Sequence, residues 1–189
     1  MISVQHKFIF LHIPKTAGTS IGKLFDMKYG QYLPIRKRKH GKASMLSEEY
    51  PKKWKEYFKF TFIRNPWDRE LSFYMYRLNR IKIHKRLDPN TTFEQYVTKA
   101  FHSGRKRNQQ IDWLISNGTM EVDFIGRFER LESDFHKICN ILNINKKLPH
   151  MNATKHDHYS TYYNDTTRQM VETMYSKDIN LFGYKFGGI

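Results

Sequence analysis

The feature that most constrains the fold is a short apolar run that leads directly into a turn of small residues. Residues 8–13 (Phe-Ile-Phe-Leu-His-Ile) read as a buried β-strand, and Pro14 ends it. Residues 14–20 (Pro-Lys-Thr-Ala-Gly-Thr-Ser) form a turn, and we expect a helix from about Ser20 to Tyr29. A strand, a tight turn and a helix in this order direct backbone N–H groups and the helix dipole at one point. The sequence therefore predicts an anion-binding turn.

The residue types in this turn suit a phosphate or a related group. Gly18 lets the backbone approach an oxyanion, Thr19 and Ser20 add hydroxyl donors, and Lys15 supplies a mobile point charge. The order is not that of a Walker A loop, in which the lysine follows the second glycine. Taken alone, the turn has an alternative interpretation as an ordinary N-capped junction between a strand and a helix.

A second anion site is predicted one strand later. Arg64 follows the apolar strand Phe60–Ile63, and Asn65 suits the N-cap of the helix after it. Ser72 lies two turns into that helix, roughly 10 Å along the axis, which an extended arginine can span. Both residues could therefore hold one phosphate, with the arginine as a bidentate fork. The alternative is that Arg64 and Arg69 pair with local carboxylates.

Strands and helices alternate along the remaining chain. We expect helices at Glu48–Tyr57, from a capping box at Thr92–Gln95, and over 129–142 and 165–177, with a strand at Val122–Gly126. This alternation predicts a three-layer α/β/α fold with a mainly parallel sheet. The chain has 189 residues and no internal repeat, so we expect one domain over residues 1–189.

The charge balance restricts the partners without choosing among them. A net charge of +15 attracts polyanions such as nucleic acid, anionic membrane, phosphorylated cofactors or acidic glycans. One cysteine excludes an internal disulfide. We find neither a signal-peptide core nor an apolar run of about 20 residues, so we expect a cytoplasmic protein without a membrane span.

Three blocks, in order, resemble a known family. Residues 12–20 resemble the 5′-phosphosulfate loop of the sulfotransferases that use 3′-phosphoadenosine 5′-phosphosulfate (PAPS), especially the carbohydrate-modifying Golgi-type family and its bacterial relatives. Residues 64–74 are similar to the 3′-phosphate motif of these enzymes, with the arginine and serine at the family's spacing. Residues 123–131 resemble a later stretch of the same family.

The resemblance implies a fold like that of P-loop nucleotide kinases. It implies PAPS as the donor, adenosine 3′,5′-bisphosphate as the product, no metal, and an acceptor hydroxyl on a glycan. Carried over by position, the 5′-phosphosulfate contacts are Pro14, Lys15, Thr16, Ala17, Gly18, Thr19 and Ser20. The 3′-phosphate contacts are Arg64 and Ser72, and Arg127 and Lys155 are further nucleotide contacts.

Two residues are assigned catalytic roles. Lys15 would stabilise the charge that grows on the leaving phosphate oxygen. His40 would act as the general base, because relatives of this family place a histidine near the acceptor and its pKa suits the task near neutral pH.

His12 is interpreted as a packing residue, and Glu70 as a partner of a neighbouring arginine. For Arg127, an ion pair with Asp123 or Glu129 is the alternative.

Two other function classes stay open at this point. A P-loop phosphotransferase would need the Walker lysine and an aspartate that holds Mg²⁺, and neither is evident. A nucleic-acid-binding protein would explain the charge, but no RNA-binding signature occurs.

The basic stretches Arg36–His40 and Arg105–Arg107 could instead bind an anionic glycan. His150, His156 and His158 lack the cysteine partners and helical spacing of a zinc site, so we expect no metal.

Overall fold

A mainly parallel sheet organises the fold in the computed structural model, which describes residues 1–25, 41–79, 87–103, 109–148 and 157–188. The strands are β1 (Ile2–Ser3), β2 (Phe8–Leu11), β3 (Phe58–Ile63), β4 (Ile115–Ser116), β5 (Thr119–Met120) and β6 (Phe124–Arg127). The helices are α1 (Gly18–Leu24), α2 (Ala43–Glu49), α3 (Pro51–Glu56), α4 (Pro66–Leu78), α5 (Phe93–His102), α6 (Leu131–Ile141), α7 (Asp165–Met174) and α8 (Ser176–Phe182). Short 3₁₀ turns lie at Ile111–Trp113, Phe128–Arg130 and Tyr159–Tyr162.

The strand order places three carboxyl ends at one edge of the sheet. The order is β1-β2-β3-β6, in which β1 is antiparallel to β2 and the other pairs are parallel. Leu11 lies opposite Thr61, and Ile63 lies opposite Arg127. In open α/β sheets, ligands bind at this edge. The prediction of a mixed α/β fold with a mainly parallel sheet is confirmed.

Aromatic side chains on alternate positions of β2 and β3 form the core of one sheet face. Phe8 and Phe10 contact Phe60, with ring centroids 5.3 and 5.0 Å apart. Ile21 of α1 and Phe135 of α6 pack against the same cluster. Each such side chain contributes about 1.5–3 kcal/mol when it is buried. This packing holds α1, and the turn before it, against the sheet.

Two helix starts follow the capping signals of the sequence. Asn65 accepts a hydrogen bond from the Trp67 N–H (3.1 Å) at the start of α4, as predicted. Thr92 and Gln95 form the predicted capping box of α5, with bonds of 3.0 and 3.2 Å. Both signals depend only on residues within one turn, which is why the sequence is sufficient to locate them.

Two predicted helices are broken in the structure. The helix predicted at Glu48–Tyr57 is divided at Tyr50, which has φ −131° and ψ 56°. Pro51 causes the break, because a proline disfavours helical backbone in the residue before it. The helix predicted over 165–177 is divided at Tyr175, a buried residue with φ −120° and ψ 24°. α1 begins two residues earlier than predicted, at Gly18.

The chain divides into two compact units. The first contains residues 1–63 and 110–153 and holds the whole four-stranded sheet. The second contains residues 64–109 and 154–189 and is helical in its described part, where α7 packs against α4 and α5. None of the helices in the described residues has the length and apolar character needed to cross a membrane.

Candidate functional site

The turn between β2 and α1 has an unusual backbone. Lys15 (φ 71°) and Ala17 (φ 65°) both adopt the left-handed conformation, which costs an L-residue about 1–2 kcal/mol. Left-handed residues alternating with other conformations direct successive N–H groups toward one side and form an anion-binding concavity. Strain of this kind persists only where the surrounding structure maintains it, and it is concentrated at functional sites.

No side chain caps the amino end of α1. Its N-cap residue is Ala17, which has no side-chain acceptor. The Thr16 hydroxyl donates to the Ile13 carbonyl (2.8 Å) and so braces the turn from within. The alternative interpretation of an ordinary N-capped junction therefore does not describe this turn. An uncapped amino end, with its positive dipole, suits an anionic ligand.

Gly18 provides room for a histidine ring. A Cβ atom at Gly18 would lie 1.8 Å from His12 Nε2. His12 is 4% exposed and stacks on Phe10, with ring centroids 5.8 Å apart. The absence of a side chain at Gly18 is thus required by packing inside the protein. This contact agrees with the interpretation of His12 as a packing residue.

The remaining turn residues differ in exposure. Lys15 and Thr19 are half-buried, whereas Thr16 and Ser20 are buried. The Thr16 hydroxyl donates its proton to Ile13, so it is not a side-chain donor for a ligand. Lys15 and Thr19 are the side chains of this turn best placed to reach a ligand from solvent.

Arg64 forms a bidentate ion pair in the second unit. Its Nε and Nη2 atoms donate to the two carboxylate oxygens of Asp68, each at 2.8 Å. This is the local pair that the sequence left open as an alternative. The pair also orients the guanidinium, because Asp68 and Ser72 lie one turn apart on the same face of α4. The Arg64 guanidinium is therefore held beside Asp68, which lies one helical turn, or roughly 5 Å along the axis of α4, before Ser72.

Arg127 lies at the carboxyl end of β6, in the first unit. Its backbone N–H donates to Asp134 Oδ2 (2.9 Å), which fixes the end of the strand against α6. Asp123, one alternative partner of its side chain, instead contacts Lys59, accepting from the backbone N–H (2.6 Å) and from Nζ (3.0 Å). Arg127 thus ends a strand at the same sheet edge as the turn that follows β2.

Asp134 is a buried carboxylate with several donors around it. Burial alone would raise its pKa, but the Arg127 N–H, the Lys137 ammonium (2.9 Å) and the Arg130 guanidinium (3.8 Å) outweigh burial. The net effect lowers the pKa of Asp134 below its ordinary value of 3.8. A carboxylate with a lowered pKa stabilises the fold above its ordinary pKa, and this stability is lost as the pH falls below it.

We expect Asp134→Asn to lower the free energy of unfolding by about 1.5–3 kcal/mol at neutral pH, because charge-assisted hydrogen bonds are lost. The difference from the wild type should shrink at about pH 3, because the carboxylate of the unfolded wild-type chain takes up a proton there and the unfolded state is favoured. Urea denaturation at both pH values measures this. Glu132→Gln, an exposed carboxylate on the same helix, serves as the control. A deficit that is the same at both pH values would contradict the electrostatic explanation.

Several sequence-predicted residues lie outside the described part of the chain. They are His40, Lys155, His150, His156 and the basic stretches Arg36–His40 and Arg105–Arg107. His158 is described, and its Nδ1 lies 2.7 Å from Ser160 Oγ. Among the described residues, no three His, Cys, Asp or Glu side chains come together in a way that could hold a metal ion.

Glu70 is completely buried and has a hydrogen-bonding partner far away in sequence. Its Oε2 accepts a bond from the Tyr175 hydroxyl (2.7 Å). The bond joins α4 to the residue that separates α7 from α8. Asp68 is the local carboxylate that pairs with Arg64, and its i, i+4 spacing from Arg64 is a signal that the sequence itself contains.

Comparison with known proteins finds a family model and several relatives that match this chain. The chain matches the model of the Sulfotransferase family over residues 1–185. It is 21% identical to carbohydrate sulfotransferase 14 of Danio rerio, over 97% of this chain and 61% of that protein. It is 20% identical to carbohydrate sulfotransferase 14 of Homo sapiens, over 73% of this chain and 45% of that protein.

A third relative is an uncharacterized protein of Archaeoglobus fulgidus, 30% identical over 54% of this chain and 82% of that protein. The chain spans less than two thirds of the length of the two carbohydrate sulfotransferases that it resembles. No solved structure matches it.

Proposed function

The chain belongs to the Sulfotransferase family, and from this premise we propose that it transfers a sulfuryl group from PAPS to a hydroxyl of a carbohydrate. The observation that carries the donor half of the proposal is the strained turn at Lys15–Ala17 before an uncapped helix. The names of the two carbohydrate sulfotransferases support the choice of acceptor. The family and these relatives offer no support for the phosphotransferase or nucleic-acid alternatives.

In this proposal the turn between β2 and α1 binds the 5′-phosphosulfate. The backbone N–H groups are supplied by residues 15–19 of the turn, and Thr19 and Lys15 supply side-chain donors. Ser20 is 5% exposed and its backbone N–H donates to the Ala17 carbonyl (3.0 Å), so we assign it a smaller part in this site than the residues before it. Arg127, at the same edge of the sheet, is an additional nucleotide contact.

The 3′-phosphate is assigned to residues at the start of α4. Arg64 offers a guanidinium oriented by Asp68, and Ser72 offers a hydroxyl one turn farther along α4. A guanidinium suits a phosphate because its planar fork matches two oxygens at once. Lys155 and His40 keep their sequence-based assignments, as a nucleotide contact and as the general base.

The residues then have complementary roles in transfer. The bond from sulfur to the 5′-phosphate oxygen breaks, and a bond from sulfur to the acceptor oxygen forms. His40 takes the acceptor proton, and adenosine 3′,5′-bisphosphate leaves. Lys15 and the N–H groups of the turn stabilise the charge that develops on the leaving oxygen. A sulfuryl group carries less charge than a phosphoryl group, so this scheme needs no metal.

The positive charge of the chain fits this assignment. A donor with several negative charges and an acidic glycan would both be attracted by a protein of net charge +15. We therefore propose an anionic carbohydrate as the acceptor.

A single domain and a cytoplasmic location stay predictions.

A transfer assay tests the proposal. Purified protein is incubated with PAPS labelled in its sulfuryl group and with a panel of glycans, lipids and small phenols, in the presence of a chelator. We expect the label to appear on glycans, together with adenosine 3′,5′-bisphosphate. Label on phenols alone would contradict the carbohydrate acceptor. A parallel assay contains ATP and Mg²⁺ without the chelator. Phosphoryl transfer in that assay, together with no sulfuryl transfer from PAPS to any acceptor, would favour the phosphotransferase alternative.

A further inference from the structure

The side chain of Asn65 connects the start of α4 to a segment about 120 residues away. Asn65 is 1% exposed, and its Nδ2 lies 3.0 Å from the Lys185 carbonyl oxygen and 2.8 Å from that of Gly188. Its Oδ1 at the same time caps α4. One amide thus joins residues 185–188, which we call the 185–188 segment, to the turn that follows Arg64.

Tyr159 completes this connection. Its hydroxyl oxygen accepts from Asn65 Nδ2 (3.2 Å) and from the Gly187 N–H (2.8 Å). Tyr159 is buried, as is Asn65. A single hydroxyl therefore holds both the amide of Asn65 and the backbone of the 185–188 segment.

Phe186 anchors the segment in an aromatic cluster. Its ring centroid lies 5.6 Å from that of Trp67, 5.7 Å from Tyr159 and 5.4 Å from Tyr163. Three edge-to-face contacts of this kind each contribute beyond simple burial. The cluster keeps the backbone of the 185–188 segment within reach of Asn65.

We propose that Tyr159 is a positioning residue for recognition of the 3′-phosphate. Arg64 directly precedes Asn65, so the bonds that fix Asn65 also fix the backbone from which the Arg64 side chain extends. Asp68 fixes the guanidinium at the other end of that side chain. The inference rests on the proposed function, because it takes the assignment of Arg64 to the 3′-phosphate as given.

The physical reason is preorganisation. An arginine side chain has many rotamers, and binding a phosphate through its fork requires one of them in a fixed place. Contacts that lock the supporting residues reduce the cost of reaching that geometry. Loss of one of these contacts should weaken the binding of a ligand that has a 3′-phosphate. It should leave the affinity for a ligand without a 3′-phosphate unchanged.

The test is a pair of affinities. Calorimetry measures the binding of adenosine 3′,5′-bisphosphate and of adenosine 5′-monophosphate, and the ratio of their affinities reports recognition of the 3′-phosphate. Tyr159→Phe removes the hydroxyl and keeps the ring. We expect it to lower the ratio about tenfold, with the affinity for the monophosphate unchanged. Arg64→Ala sets the lower limit of the ratio.

Tyr74→Phe is the matched control. It removes a buried tyrosine hydroxyl from the same unit, one that donates to the Thr91 carbonyl (2.8 Å). It should lose a comparable amount of stability and keep the ratio of the wild type. If Tyr159→Phe does not fold, Asn65→Ser replaces it, because serine keeps an N-cap oxygen and removes the amide donors. That variant should also lower the ratio.

The outcomes separate the two proposals. A wild-type protein that binds both nucleotides equally would contradict the 3′-phosphate site, and with it both proposals. A wild type that prefers the bisphosphate, together with a Tyr159→Phe or Asn65→Ser variant that keeps the full preference, would overturn the positioning role alone.

Discussion

Lys15→Ala is expected to lower turnover about 100-fold or more while the fold stays intact. The estimate follows from the cost of removing one donor from a site that stabilises a developing oxyanion. Lys15 is half-buried in a left-handed conformation. Alanine bears the same conformational cost there, so the backbone of the turn should not change. The loss should therefore come from the missing charge.

Steady-state turnover with PAPS and a thermal unfolding curve measure the two parts of this expectation. Lys23→Ala is the control, because Lys23 is an exposed lysine in the last turn of α1. It should keep both turnover and stability. Unchanged turnover in Lys15→Ala would remove Lys15 from the mechanism.

Gly18→Ala is expected to destabilise the protein by about 3 kcal/mol, which is the upper part of the usual range for overpacking a core. The new Cβ would lie 1.8 Å from His12 Nε2, so the ring must move. His12 is buried and stacked on Phe10, which leaves it little room. The higher helix propensity of alanine, about 1 kcal/mol, offsets only part of this cost.

A double-mutant cycle tests whether His12 is the cause. In a His12→Ala background, Gly18→Ala should cost little, because the clashing ring is absent. Urea denaturation of the four proteins gives the coupling. Gly41→Ala is a control at a buried glycine, whose added Cβ would lie 3.3 Å from the flexible Leu46 side chain. A cost at Gly18 that persists without His12 would contradict the steric explanation.

Local signals were sufficient for part of the fold and part of the site. The start of α4 at Asn65 and the capping box at Thr92 follow from residues within one turn of each other. The strand–turn–helix at residues 8–24 follows from hydrophobic pattern and small residues. These features depend on short-range chemistry, and a single sequence contains that chemistry in full.

Other features depend on tertiary packing and could not be predicted. Nothing in the sequence around Gly18 indicates that His12 packs on it, because the contact requires the strand and the helix to be in place. The bonds between Asn65 and the 185–188 segment join residues about 120 positions apart. Their pairing is set by the aromatic cluster around Phe186 and not by any local pattern.

Arg64 shows why two interpretations of a residue need not exclude each other. The sequence presented a local ion pair and a phosphate contact as alternatives. The structure shows the ion pair with Asp68, and this pair holds the guanidinium beside a residue that lies one helical turn before Ser72. A bidentate carboxylate is a common way to hold an arginine in place for a ligand.

The central claim is that this chain binds the two ends of a nucleotide with phosphates at its 3′ and 5′ positions. The direct measurement is isothermal titration calorimetry of the folded protein with adenosine 3′,5′-bisphosphate, with a chelator present. Two temperatures are used, so that an enthalpy near zero at one of them is not mistaken for an absence of binding. We predict a one-site isotherm that does not depend on metal. Folded protein that shows no binding heat at either temperature would contradict the claim.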